Sequence, residues 1–149
     1  MKAGLKISVI DANEGSEDGF LEVTLTASNG SCANSQWCFV KRDALKDFSI
    51  QLKDFPSNIK SRIKLETGGP EKPWATYLMF EVFCYEPTGK SAIKVIMETH
   101  FIEPHYDRSE FFIIGYPASL NRLGETLYAW NPLEGSVFKW LVDENQNND

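Results

Sequence analysis

Alternating apolar and polar positions run through most of the chain. Leu5, Ile7 and Val9 share one side of residues 4–10, the two-residue period of a strand. Residues 11–19 are polar and acidic and read as a loop. Over 20–27, Leu21, Val23 and Leu25 point one way and Glu22, Thr24 and Thr26 the other, as in a half-buried antiparallel strand. Ser28-Asn29-Gly30 is a turn signal, with Asn-Gly suited to the positive φ of a hairpin. Residues 35–41 return as a strand with Trp37 and Phe39 on one face. The period then lengthens. Leu45, Phe48, Leu52 and Phe55 recur at helical spacing over 43–55, with Asp43 placed to cap the start and Pro56 to stop it.

Alternation resumes around Ile63 and Leu65 in residues 60–67, before a loop marked by Gly68-Gly69-Pro70 and Lys72-Pro73. Residues 75–86 and 90–102 read as a long β-hairpin about Pro87-Thr88-Gly89. Residues 110–116 are apolar on both faces, which predicts a central or doubly covered strand. Leu120, Leu123 and Leu127 predict a helix over 117–130, with Ser119 as candidate cap and Gly124 inside it. An interior glycine costs about 1 kcal/mol relative to alanine. Val137, Trp140 and Leu141 suggest that the C-terminal segment docks back on the body.

The 149 residues fit one domain, expected over 1–142 with a mobile polar tail from 143 to 149. The net charge is −6, which argues against a general nucleic-acid binder because phosphate contacts need clustered Lys and Arg. The acid excess sits at the two ends: two basic and five acidic residues in 1–40, and three basic and eight acidic in 101–149. That distribution serves as a solubilising surface or as an acidic face for a basic partner. No stretch approaches the ~18 apolar residues of a membrane span, and the N-terminal stretch lacks the pattern of a signal peptide. Three cysteines, Cys32, Cys38 and Cys84, without CxxC spacing fit reduced thiols in a cytoplasmic protein.

Little in the sequence points to reaction chemistry. His100 falls on the polar face of a strand and His105 in a loop, and neither accompanies a nucleophile motif. His100, His105 and Asp107, with Glu98 and Glu103 nearby, are the best metal candidates, yet no paired-ligand signature joins them. Thr88-Gly89-Lys90 joins two strands and reads as a hairpin turn rather than a phosphate cradle. No cofactor or metal is expected. The face formed by Tyr77, Met79, Phe83 and Tyr85, interrupted by Glu81, is too apolar to leave open as one patch. A helix or the Trp140 segment covers it, or it is a partner or dimer surface. With the acidic loop residues Glu14, Glu17 and Asp18, these five form the expected partner-binding set.

One order of elements carries a family resemblance. FLEVTLTA and QWCFVK run into the amphipathic DALKDFSIQLKDF, then SRIKLE, the hairpin YLMFEVFCYEPTGKSAIKVIMETHF, a further strand and PASLNRLGETLYAW. Over residues 18–130 this resembles the small bacterial immunity proteins of the WapI type, the matching positions being Asp43, Leu45, Phe48, Leu52, Gly89, Leu120 and Leu123. The tail from Asn131 and the 67–74 loop depart from that pattern. The resemblance implies a bent antiparallel sheet and neutralisation of a toxin by direct binding. The expected fold is α+β, with a curved antiparallel β-sheet of six or seven strands and two short helices packed against it. The expected function is non-enzymatic binding of a protein partner, a toxin domain on the resemblance. The alternatives are a homo-oligomeric structural module and a binder of small ligands or carbohydrates.

Overall fold

The computed structural model describes residues 1–14, 19–70 and 74–143. Eight strands and two helices follow the apolar periods among the described residues. They are β1 (Gly4–Asp11), β2 (Phe20–Ser28), β3 (Ala33–Lys41), α1 (Arg42–Lys53), β4 (Arg62–Gly68), β5 (Thr76–Cys84), β6 (Ser91–Thr99), β7 (Asp107–Gly115), α2 (Pro117–Ala129) and β8 (Val137–Leu141). The class is α+β and every pairing is antiparallel. The strands form two sheets of four, ordered β3-β2-β1-β8 and β4-β5-β6-β7, and not the expected single sheet of six or seven. The reason lies in the connections. Both helices are crossovers: α1 carries the chain from an edge of the first sheet to an edge of the second, and α2 carries it back. The docked C-terminal segment supplies the eighth strand, with Phe138 and Trp140 buried beside Ile7 and Leu5.

The sheets cross rather than align. Along β3, Asn34 Nδ2 donates to Ser109 Oγ at 2.8 Å and Gln36 Nε2 donates to the Tyr77 carbonyl at 2.9 Å. The Thr67 hydroxyl donates to the Phe39 carbonyl. β3 therefore runs across β7, β5 and β4 in turn, as in orthogonal packing. One core joins the inner faces of both sheets to Leu45, Phe48, Leu52, Leu120, Leu123 and Leu127 of the helices. Each such side chain stabilises the fold by about 1.5–3 kcal/mol on full burial.

Gly124 lies where the helices meet. A Cβ there would fall 2.7 Å from Leu52 Cβ and 2.8 Å from the Ser49 carbonyl oxygen, so glycine permits the close approach. Asn121 Nδ2 donates to the carbonyls of Leu52 and Phe55, closing the end of α1.

Three local expectations are corrected. β3 runs straight into α1, so Lys41 holds the cap position without a side-chain bond, and Asp43 lies inside the first turn. Ser119 is no cap either. Pro117 opens α2 after Tyr116, and the Ser119 hydroxyl donates to the Val142 carbonyl at 2.6 Å. The strand expected to be central or doubly covered, β7, bonds only to β6 and is an edge, and its Phe112 and Ile114 face is exposed. The tail beyond Asp143 lies outside the described residues. Among the described residues, no helix is long and apolar enough to cross a membrane.

Candidate functional site

The expected partner-binding residues of β5 project from the outer face of the second sheet. Neither helix nor Trp140 covers them: α1 and α2 pack on one another, and the Trp140 indole donates to the Ser119 carbonyl at 3.1 Å. Tyr77 and Met79 are nevertheless only 8 % and 5 % exposed, closing a small cluster with Ile96. The Tyr77 hydroxyl donates to Glu66, and burial together with that carboxylate raises the phenol pKa. Glu81 pairs with Arg62 at 3.2 Å, whose guanidinium lies 4.6 Å from the centre of the Phe83 ring. Phe83 meets Phe112 edge-on at 6.1 Å. Arg108 bridges Glu98 at 2.8 Å and Glu110 at 2.9 Å. This face is a lattice of paired charges and rings, in which Tyr85 is exposed past the end of β5.

Glu14 stands elsewhere, beside Asp11 and Glu134 in a shallow acidic hollow. Glu17 and Asp18 lie outside the described residues.

A cleft of about 610 Å³ lies between the outer face of β3, the start of α1 and the β4–β5 corner. Phe20, Trp37, Phe39 and Trp74 supply its rings, and Asn13, Lys41, Glu66, Thr67 and Thr76 its polar side chains. Trp37 and Phe39 project outward because the alternate positions Gln36, Cys38 and Val40 turn inward. Their rings meet edge-on at 5.2 Å, and Trp37 Nε1 donates to Glu22 at 2.7 Å. Lys41 Nζ sits 5.4 Å from the Phe20 ring centre. Burial pushes the Cys38 thiol up to about 12, so it sits behind these rings as a neutral group.

The opposite wall is built on two glycines. Gly68 takes φ +74°, and a Cβ there would meet the Thr76 carbonyl at 2.0 Å. The Trp74 indole occupies the space that a Gly69 side chain would fill, 2.3 Å from its Cβ position. His100 holds the corner from behind. Its backbone N–H donates to Ala75, its Nδ1 lies 2.6 Å from the Trp74 carbonyl, and its Nε2 lies 2.6 Å from Glu98. The His100 bond is the largest influence holding Glu98 below its ordinary pKa, with Arg108 adding to it.

These contacts give His100 a structural position. Among the described residues, no group of three or more His, Cys, Asp or Glu converges as a metal would require. The Thr88-Gly89-Lys90 segment is a hairpin turn in which the Gly89 N–H donates to Glu86.

The cleft was missed by sequence reasoning, although signals for it exist. Residues 36–40 are largely apolar on both faces, so one face has to lie outside, and Trp74 is a large ring in a Gly/Pro loop. Compared with protein-family models, curated proteins and solved structures, the chain matches none.

Proposed function

We infer that this chain is a non-enzymatic binding protein whose recognition site is the Trp37–Phe39–Trp74 cleft. The single observation that carries this reading is the exposure of its rings: Trp37 is 44 % and Trp74 52 % open to solvent around one concavity. Tryptophan is enriched at contact surfaces, where large rings carry much of the energetics of recognition. Backbone and Glu98 contacts hold the wall that carries Trp74, so the site is largely ordered before a ligand arrives.

The occupant is a segment of a protein partner. Asp11, Glu14 and Glu134 lie next to the cleft, Asn13 being common to both hollows, which favours a basic partner. The resemblance to WapI-type immunity proteins makes that partner a toxin domain. Affinity capture with the wild-type chain and a Trp37→Ala/Trp74→Ala variant tests the reading. A stoichiometric partner held by the first and lost by the second supports it; equal retention by both contradicts it.

The volume favours a second reading, since about 610 Å³ lies within the roughly 300–1,000 Å³ of small-molecule sites. On that reading a sugar stacks on the rings and bonds to Asn13 and Glu66. Thermal-shift screening with carbohydrates would then raise the melting temperature of the wild-type chain and leave Trp74→Ala unmoved.

A further inference from the structure

We propose that β7 is a dimerisation edge, along which two copies of this chain join their second sheets into one continuous antiparallel sheet of eight strands. This goes beyond the cleft and does not depend on it.

The hydrogen-bond parity of the sheet identifies the free groups. Tyr85 N–H donates to Lys90 and His100 N–H donates to Ala75, so the even-numbered residues of β6 bond to β5. Its odd-numbered residues therefore bond to β7, where they face the odd-numbered partners Asp107 to Gly115. That leaves the N–H and C=O groups of Arg108, Glu110, Phe112 and Ile114 directed at the open side.

Natural edges are blunted by proline, lysine, a bulge or short length. β7 has no proline, lysine or bulge, and its charges, Asp107, Arg108 and Glu110, all lie in its first half: it runs nine residues in unbroken register and ends in Phe111-Phe112-Ile113-Ile114-Gly115. On its outer face Phe112 is 42 % and Ile114 56 % exposed, and Tyr116 just beyond is 66 % exposed. The segment has the composition of a central strand in the position of an edge. Pairing removes that conflict.

A second copy is the occupant because the pairing closes on itself. A two-fold axis at Ile113 sets Phe112 opposite Ile114 of the second copy, and Glu110 opposite Tyr116. Apolar then meets apolar at the centre, no like charges are opposed, and Arg108 stays with its own Glu98 and Glu110. The other edges suit this less well. The Leu141 carbonyl of β8 accepts from Arg122, the Phe39 carbonyl of β3 accepts from Thr67, and β4 carries charges at alternate positions along its length, Arg62, Lys64 and Glu66, with no apolar run like that of 111–114.

Sedimentation combined with residue-resolved amide exchange tests this across a dilution series. The expected result is a species of twice the chain mass, in which the amides of Glu110, Phe112, Ile114 and Tyr116 are protected and become fast on dilution, while that of Arg108, which would face α2 of the second copy, stays fast. The odd-numbered β7 amides stay protected throughout. Ile114→Pro deletes an N–H with no partner inside the protomer, and Phe112→Lys puts a charge at the centre. Each should give a folded monomer, the lysine variant serving if the proline one fails to fold. A wild-type chain of single mass with fast even-numbered amides at every concentration overturns the proposal. So does a dimer that survives Phe112→Lys with those amides still fast.

Discussion

His100 holds the carbonyl of Trp74 through its Nδ1 at 2.6 Å, so a residue on the strand side of the second sheet fixes one wall of the cleft. The same ring leans on Glu98, which Arg108 also holds. Removing the imidazole frees the Trp74 carbonyl, the backbone bond to Ala75 remaining, and takes from Glu98 one of its two charged-group contacts. His100→Ala is therefore expected to cost about 1.5–3 kcal/mol, the usual scale for hydrogen bonds to charged groups. The Trp74 environment should loosen with it. Denaturant melts and the tryptophan emission spectrum check both parts: lower stability with an unmoved emission maximum would mean that His100 supports the fold and not the cleft.

Glu98 makes the stability pH-dependent in one direction. Its pKa is lowered from an ordinary 4.5, chiefly by the His100 bond and then by Arg108. A carboxyl depressed in the folded state contributes stability that is fully present above the unfolded value and is lost as pH falls through the folded one. Glu98→Gln is therefore expected to flatten the loss of stability below about pH 4.5. Melting temperatures of both proteins across the acid range measure this, and parallel acid limbs would contradict it.

Gly124 opposes helix propensity and packing against each other. Alanine gains about 1 kcal/mol as a helix former. Its Cβ would sit 2.7 Å from Leu52 Cβ and from the Lys53 backbone nitrogen, contacts relieved only by separating α1 from α2. Overpacking of this kind costs about 1–3 kcal/mol. Gly124→Ala is expected to be net destabilising in equilibrium unfolding, and a stabilised variant would show that the helix pair is looser than described.

The cysteines should react unequally. Cys32 is exposed in the β2–β3 turn, whereas Cys38 is buried with its thiol pushed up to about 12. The thiolate is the reactive form. Alkylation of the native protein near neutral pH should label Cys32 and leave Cys38 untouched until denaturant is added, as read by peptide mass spectrometry. Native labelling of Cys38 would show that β3 opens readily.

Much of the fold is legible in the pattern of residues. The two-residue and helical periods place β1 to β7 and both helices close to their observed positions, while the segment expected only to dock back forms β8. The errors concern relationships that no local window holds. Apolar residues on both faces of 110–116 register a demand for burial, and the strand's position as an edge follows from the crossover that α2 makes. Asp43 and Ser119 carry the chemistry of caps, yet the start of each helix is set by how directly the preceding strand enters it. At the cleft the usual polarity is reversed: Gln36 goes inward, its Nε2 donating to the Tyr77 carbonyl, and Trp37 goes outward. Periodicity pairs Trp37 with Phe39, but only the position of Tyr77 on the crossing sheet decides which side faces the core. Trp74 joins them where Gly68 meets the Thr76 carbonyl and Gly69 lies against its indole, far from β3 in sequence.

The central claim is that recognition occurs at these rings, and partner capture with paired variants tests it most directly. Wild-type, Trp37→Ala/Trp74→Ala and Tyr85→Ala chains would be compared, the last altering the exposed end of the β5 face and sparing the cleft. The expected result is a stoichiometric partner retained by the wild type and by Tyr85→Ala and lost by the double variant. Retention by the double variant together with loss in Tyr85→Ala would contradict the claim and move recognition to the outer face of the second sheet.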